Sequence, residues 1–251
     1  MSEPWLPACR QAAKLLREAH RAVAFTGAGI SVPSGIPDFR SPGGLWSRYD
    51  PVAVASAQSL ESNPAGVWEF LVDTARIFHP AQPNPAHTAL ADLEGQGVLA
   101  GIITQNIDGL HQRAGSKTVV EYHGGWDSWS CRRCGKGWDH SLAHELTRDK
   151  LPVRCPCGGL IRPQIVFFGE GIPARALQES EDLLRGANLI LIVGTSGEVA
   201  PANTLPQRVK RAGGMVIEIN LGPTAFDGLS DIRMDGPAER IIPVLYDLII
   251  S

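Results

Sequence analysis

Four of the chain's five cysteines fall into two close pairs, Cys131-x2-Cys134 and Cys155-Pro156-Cys157, with 20 residues between the pairs. Two thiol pairs at that spacing supply the four thiolates of a tetrahedral zinc site. Four thiolates leave no open position for a substrate or an activated water, so a zinc held there is structural. Gly135, Gly158 and Gly159 follow the pairs, where backbone amides must fold toward sulfur. Cys9 stands apart and reads as a core residue.

A second set of residues sits where apolar runs end. Gly27-Ala28-Gly29-Ile30-Ser31 follows Ala22 to Thr26, and glycines there let backbone amides approach a pyrophosphate or simply serve a tight turn. The third glycine of the common dinucleotide fingerprint is missing, and no acidic residue closes the second strand, so an ordinary dehydrogenase is excluded. Gly35 to Arg40 and Ser41-Pro42-Gly43-Gly44 continue as a polar, glycine-rich loop able to close over a nucleotide. Thr104-Gln105-Asn106-Ile107-Asp108 puts two amides and a carboxylate at the end of another run. Glu121-Tyr122-His123-Gly124 ends a third with an imidazole, whose ordinary pKa of about 6.5 suits a general base, although a histidine at a strand end is also often structural. Gly194-Thr195-Ser196-Gly197 and Asn220 add small and polar groups suited to ribose and phosphate.

These residues need a frame that gathers strand ends at one edge. Short continuous apolar runs at Ala22 to Thr26, Leu99 to Thr104, Thr118 to Tyr122, Leu189 to Val193, Met215 to Asn220 and Asp231 to Met234 predict parallel strands covered on both faces. Between Pro7 and Ala19, Cys9, Ala12, Ala13 and Leu16 recur at helical spacing. Strands alternating with helices imply a doubly wound parallel α/β sheet, with ligands at the carboxyl ends of its strands. Two stretches break the alternation: 41–97, with about two helical patterns, and 124–163, with the cysteines and little regular periodicity. Both are assigned to a smaller lobe beside the sheet, approximately 1–40, 98–123 and 164–251 forming the larger.

Composition narrows the function classes. The 251 residues are 43% hydrophobic and 20% charged, which suits one globular unit with an insert. Twenty-three basic against 26 acidic residues leave a net charge of −3, without the basic excess of a nucleic-acid-binding domain. No uncharged apolar stretch reaches membrane-spanning length and no signal peptide is evident, so a soluble cytoplasmic protein is expected. A monomer is expected separately, on no residue pattern of its own.

Taken in order, the motifs 27–31, 35–40, 104–108, His123-Gly124, the four cysteines, Phe168-Gly169-Glu170, Gly194-Thr195-Ser196 and Ile219-Asn220 resemble those of the sirtuins, the NAD-dependent protein lysine deacylases, from Gly27 to about Val244. The resemblance implies an α/β fold: a Rossmann-like doubly wound parallel sheet with a smaller zinc-binding and helical lobe inserted. It implies NAD and zinc, held respectively in a cleft and by Cys131, Cys134, Cys155 and Cys157. Gly27, Ala28, Gly29 and Ile30 would line the pyrophosphate, and Asp38, Phe39 and Arg40 would contact NAD from the loop. Gln105, Asn106, Ile107 and Asp108 would hold the nicotinamide half, and Gly194, Thr195, Ser196, Asn220, Leu221 and Ala238 the adenosine half. His123 would be the general base, with Asn106 and Asp108 completing the catalytic set. In this chemistry the acyl oxygen attacks the ribose carbon as nicotinamide leaves, and free lysine and O-acyl-ADP-ribose result.

The acyl-lysine peptide would lie as an extended strand against Val166, Phe167, Gly169 and Glu170 on one side and Val199 on the other. Members that remove acidic acyl groups carry a Tyr-x-x-Arg pair, whereas Leu71 and Thr74 occupy the matching places here, so neutral acyl groups are expected, Arg76 being the residue that could reverse this. Trp126, Trp129 and Gly197 depart from the family pattern and are expected to reshape the acyl channel. ADP-ribosyl transfer or NAD hydrolysis in the same pocket is the main alternative, and a non-catalytic NAD-sensing module the other.

Overall fold

A computed structural model describes residues 3–38, 44, 47, 49–143 and 148–251. In chain order the strands are Ala22–Thr26 (β1), Leu99–Thr104 (β2), Val119–Glu121 (β3), Gly124–Cys131 (β4), Gly137–Trp138 (β5), Ile161–Ile165 (β6), Leu189–Val193 (β7), Met215–Asn220 (β8) and Ile232–Asp235 (β9). The helices are Leu6–Glu18 (α1), Pro51–Val54 (α2), Ala57–Ser62 (α3), Pro64–Phe78 (α4), Pro85–Gly95 (α5), Leu110–Arg113 (α6), Ala174–Leu184 (α7), Thr204–Arg211 (α8) and Ala238–Ile250 (α9).

Alternation along β1 divides the larger core. Ala22 and Ala24 pack with α1, α5 and α9, through Cys9, Leu16, Leu90, Leu93, Ile241 and Leu245. Val23 and Phe25 pack the other way with Leu183 of α7 and Leu205 and Val209 of α8. All five β1 residues are therefore buried, as in a sheet covered on both faces. The six strands run in the order β3-β2-β1-β7-β8-β9 with every pairing parallel. Strand order reverses between β1 and β7, and the crevice outside their carboxyl ends is where such sheets bind ligands. All six strands stand within a residue of the expected places.

The smaller lobe is more ordered than its sequence suggests. The stretch 124–163 forms an antiparallel sheet, β5-β4-β6, where regular periodicity was not expected. The reason is a bulge: the β4–β6 register shifts between Gly125 and Trp129, which hides the alternation and turns Trp126 and Trp129 to the same side. Their rings meet edge-on at 5.1 Å, Trp68 of α4 lies 5.4 Å from Trp129, and the Trp68 Nε1–H donates to Ile161 O at 3.0 Å. These tryptophans are 0–4% exposed. They build the lobe's core and are not the channel-shaping residues expected.

The division of the 41–97 insert also needs correction. Helices α3 and α4 pack into the smaller lobe, but Ala86, Ala89, Leu90 and Leu93 of α5 join the core of the large sheet. Their spacing makes an apolar stripe whose partner, α9, lies about 150 residues away in sequence, so chain order alone assigns it wrongly. Asn84 caps α5, accepting from Ala86 N at 3.0 Å, and His87 closes a capping box.

Candidate active site

The nucleotide-site residues predicted from sequence gather at one edge of the large sheet. Gly27–Ile30 leave β1, Gln105–Asp108 leave β2, His123 follows β3, Gly194–Ser196 leave β7, Asn220 and Leu221 end β8, and Ala238 opens α9 after β9. Asp38 is half-buried beyond the 3₁₀ turn 28–34; Phe39 and Arg40 lie outside the described residues.

The glycines at the switch point do something other than expected. Gly27 N–H donates to Val193 O at 3.0 Å and Gly29 N–H to Gly194 O at 2.8 Å, so these two amides are already used by the neighbouring strand's exit. A Cβ on Gly27 would fall 2.6 Å from Thr195 Cβ, and one on Gly29 2.8 Å from Gly194 Cα. The glycines let two loops touch, and they bring Thr195 beside the β2 loop.

A polar chain then joins three loops. Asn106 Nδ2 donates to Gly27 O and to Ser31 Oγ, both at 3.1 Å, and Ser31 Oγ donates to Asp108 Oδ2 at 2.7 Å. Asp108 Oδ1 accepts from Leu110 N at 3.0 Å, and Gln105 Nε2 reaches Thr195 Oγ1 at 2.8 Å. Burial pushes the Asp108 carboxyl up, opposed by the Leu110 amide, the Ser31 hydroxyl and the charge of Arg113. Ser31 carries this chain although only its motif was visible in sequence; its partner Asp108 lies 77 residues on.

His123 Nδ1 lies 3.1 Å from the Gln105 carbonyl. A carbonyl only accepts, so the proton sits on Nδ1 and Nε2 keeps its lone pair, the form a general base needs. Burial lowers the His123 pKa, with the Gln105 hydrogen bond opposing.

Beneath Asn106 lies a buried histidine pair that sequence reasoning missed. His87 and His111 are 0% and 1% exposed with ring centroids 4.9 Å apart. Asn84 N–H donates to His87 Nδ1, and His111 Nε2 lies 2.9 Å from Thr26 Oγ1, which donates to Thr104 Oγ1; that oxygen also accepts Asn106 N–H. Burial lowers His87 to about 4 and drives His111 down as well, helped by His87. Both are neutral in the fold and take up protons on unfolding. Stability is therefore complete above about pH 6.5 and is lost as pH falls toward 4, about 3 kcal/mol of it through His87. Urea midpoints between pH 7 and 4.5 are expected to fall more steeply than in a His87→Asn variant; parallel slopes would refute this.

The segment after β6 pairs with the chain entering α3. Phe168 N–H donates to Ala55 O at 2.8 Å and Ala57 N–H to Phe168 O at 2.9 Å, while Val166 N–H donates to His123 O at 2.8 Å. Val166 and Gly169 are half-buried and exposed respectively, Phe167 is buried, and Phe168 is 47% exposed. Glu170 was expected to touch substrate, but its carboxylate accepts from both Arg162 nitrogens and from Phe167 N. It braces the loop. Val199 opens the turn before α8, and Gly197 (φ 75°) has Phe226 Cε2 2.7 Å from where a Cβ would stand, so that ring fills the space thought to widen the acyl channel.

At the far end of β4 the four cysteine sulfurs lie within 4.8 Å of one another. Cys131 and Cys157 are 3.5 Å apart and Cys134 and Cys155 3.7 Å. Zinc–sulfur bonds of about 2.3 Å in a tetrahedron put sulfurs about 3.8 Å apart, so the quartet fits zinc. The Cys134 and Arg133 amides hold Cys131 down to about 6, favouring thiolate. A Cβ on Gly159 would sit 2.6 Å from Cys131 Sγ, so the metal loop needs that glycine. His123 and Cys131 stand at opposite ends of β4, roughly 25 Å apart at about 3.3 Å per residue, so a zinc held by the quartet would be structural.

A parallel sheet of this order, with an amide- and carboxylate-lined switch point, a histidine at its edge and a separate thiolate metal lobe, defines a nucleotide-dependent enzyme of the α/β class. The chain belongs to the Sir2 family, whose model matches residues 27–201. It is similar to an NAD-dependent protein deacetylase of Caldivirga maquilingensis, 46% identical over 95% of this chain and 92% of that protein. It also resembles the crystal structure of a Sir2 homologue–NAD complex (TM-score 0.88, 38% identity, 96% of this chain and 93% of the other). A third likeness is to a Sir2 enzyme bound to a myristoylated histone peptide (TM-score 0.82, 35% identity, 97% of each chain).

Proposed function

We infer that the protein is an NAD-dependent protein lysine deacylase. The observation carrying this is His123, with Nδ1–H tied to the Gln105 carbonyl and Nε2 unprotonated, at the same sheet edge as Asn106 and Asp108. NAD supplies the ribose carbon that the acyl oxygen attacks as nicotinamide departs. Asn106, Ser31 and Asp108 would orient the nicotinamide ribose, and His123 Nε2 would take a proton from its hydroxyl as that oxygen attacks the acyl carbon; lysine then leaves as the free amine, and a water supplies the oxygen that completes the O-acyl product. Thr195, Asn220 and Ala238 flank the adenosine half. Phe39 and Arg40 are assigned to the same site on family grounds.

The substrate is an acyl-lysine segment bound as a strand between residues 166–170 and Val199; relatives in complex with peptides support this. Net charge −3 argues against nucleic acid as partner, and a monomer suffices for the site. Among the described residues no helix is long and apolar enough to cross a membrane. The five free cysteines, four of them a metal quartet, suit the reducing cytoplasm.

The test is mass spectrometry of an acetyl-lysine peptide with and without NAD. NAD-dependent loss of the acetyl mass with matching O-acetyl-ADP-ribose is expected. Nicotinamide released while the peptide stays acetylated would point to ADP-ribosyl transfer or hydrolysis instead.

Neutral acyl groups are preferred. Leu71 and Thr74 are 0% and 3% exposed, and the Thr74 hydroxyl is bonded back to Phe70 O at 2.8 Å. Arg76 is paired at the surface with Asp73, which also accepts from Tyr49. No cation is therefore offered to an acidic acyl group from this helix. An acetyl-lysine peptide is expected to turn over at least tenfold faster than its succinyl counterpart, since a buried polar group left unpaired costs about 1–3 kcal/mol and a charged one more; a faster succinyl peptide would overturn the preference.

A further inference from the structure

Two strands over from the switch point, Glu218 is wholly buried on β8, an unusual place for a carboxylate. Its oxygens accept from three donors: Asn220 Nδ2 at 3.0 Å, Thr224 Oγ1 at 2.6 Å and Ser230 Oγ at 2.7 Å. Arg233 of β9 stands 3.7 Å from Glu218 Oε1, and its guanidinium also binds Asp227 and Gly222 O. The cluster has two consequences at the sheet edge.

The first concerns Asn220. With Nδ2 committed to Glu218, the group that this side chain offers is its acceptor Oδ1. The second concerns Arg233. Sites that take a 2′-phosphorylated nucleotide place an arginine near the ribose, whereas sites for the free 2′-hydroxyl place an acceptor there. Arg233 reaches the loop after β8 through Gly222 O, and its charge is engaged by two carboxylates and that carbonyl.

We propose that Glu218 is a positioning residue that makes the adenosine end of the site accept a ribose hydroxyl and reject a 2′-phosphate, and so sets NAD above NADP. It does so by holding Asn220 Nδ2, which leaves Oδ1 as the group this side chain offers, and by helping to hold Arg233 back. The proposal rests on the assignment of the adenosine ribose to Asn220.

The test is calorimetric titration of the zinc-loaded protein with ADP-ribose and with its 2′-phosphate. The wild type is expected to bind ADP-ribose at least 100-fold tighter. Glu218→Gln lets the Asn220 amide turn over and removes one of the three groups that hold Arg233, and is expected to narrow that ratio at least tenfold. Asp227, half-exposed, can be changed without threat to the core. Asp227→Asn is expected to narrow the ratio about threefold, and it carries the test should the Glu218 variant fail to fold. A merely structural role would weaken both ligands alike and leave the ratio unmoved. An unchanged ratio in the folded variants, or equal binding by the wild type, overturns the proposal. Asn220→Ala separates this from the underlying assignment: tenfold weaker ADP-ribose binding there keeps the ribose at Asn220 even if the ratio fails to move. Unchanged ADP-ribose binding by Asn220→Ala removes the assignment and the proposal together.

Discussion

Replacing His123 with alanine is expected to lower kcat/KM for an acetyl-lysine peptide by roughly 10²- to 10⁴-fold, the usual contribution of a positioned general base. Stability should barely change. The His123 ring is half-buried, and its hydrogen bond among the described residues is to a main-chain carbonyl, which can turn to water when the ring is gone. The pH profile gives a second readout. The active form is the neutral imidazole, and burial lowers its pKa, so the rate is expected to hold as pH falls past 6.5 and to decline only below that. Were the charged form the active one, the rate would rise on acidification, and that result would sink the assignment. So would a His123→Ala enzyme retaining a tenth of the wild-type rate while folded. Ser31→Ala tests the next link: it removes the hydroxyl that joins Asn106 to Asp108, and its effect should appear in kcat more than in peptide KM.

Residues that act through their local sequence were legible; residues that act through pairs were not. The parallel strands read as apolar runs because both faces of each are covered, and β1 and β7 show no polar interruption to blur the signal. The zinc quartet reads from spacing because two short turns each present two sulfurs. The glycines of 27–29 were legible as a motif but not in their work, since what excludes a Cβ there is Thr195 and Gly194, about 165 residues away. His87 and His111 look like ordinary helix residues until the fold brings their rings together and sets His111 against Thr26. Glu218 sits inside an apolar strand run, where a lone carboxylate suggests a break, and only Thr224, Ser230 and Arg233 closing over it make it tolerable. The β4 bulge shows the same limit: an irregular pairing erases the two-residue period from which strands are read.

Removal of zinc should have the largest effect of any single change, because the smaller lobe has little else to hold its far end. Strand β5 is two residues long, and the loops on either side of it lead into the cysteine turns. Cys131 and Cys155 are buried in the lobe's apolar core with Trp129 and Leu160. Four sulfurs within 4.8 Å are stable as thiolates only around a cation; without it they must take up protons or move apart. Small thiolate zinc modules draw an apparent 10–16 kcal/mol from the metal, as much as the whole stability of an ordinary domain, so even a fraction of that decides whether this lobe folds. One zinc per chain is expected by elemental analysis. Chelation or Cys131→Ser should lower the melting temperature by at least about 10 °C and collapse the near-ultraviolet circular dichroism of Trp68, Trp126 and Trp129, which all sit in this core. Activity should go with it, because β4 runs from Cys131 back to His123, and the β4–β6 pairing that ends at Gly124 and Ile165 is continued by the Val166–His123 bond. Cys9→Ser is the control: that thiol lies alone in the large core, so its loss should cost stability without changing zinc content or the tryptophan signal. A metal-free protein that keeps its melting temperature and its tryptophan dichroism would show that the quartet does not hold the lobe together.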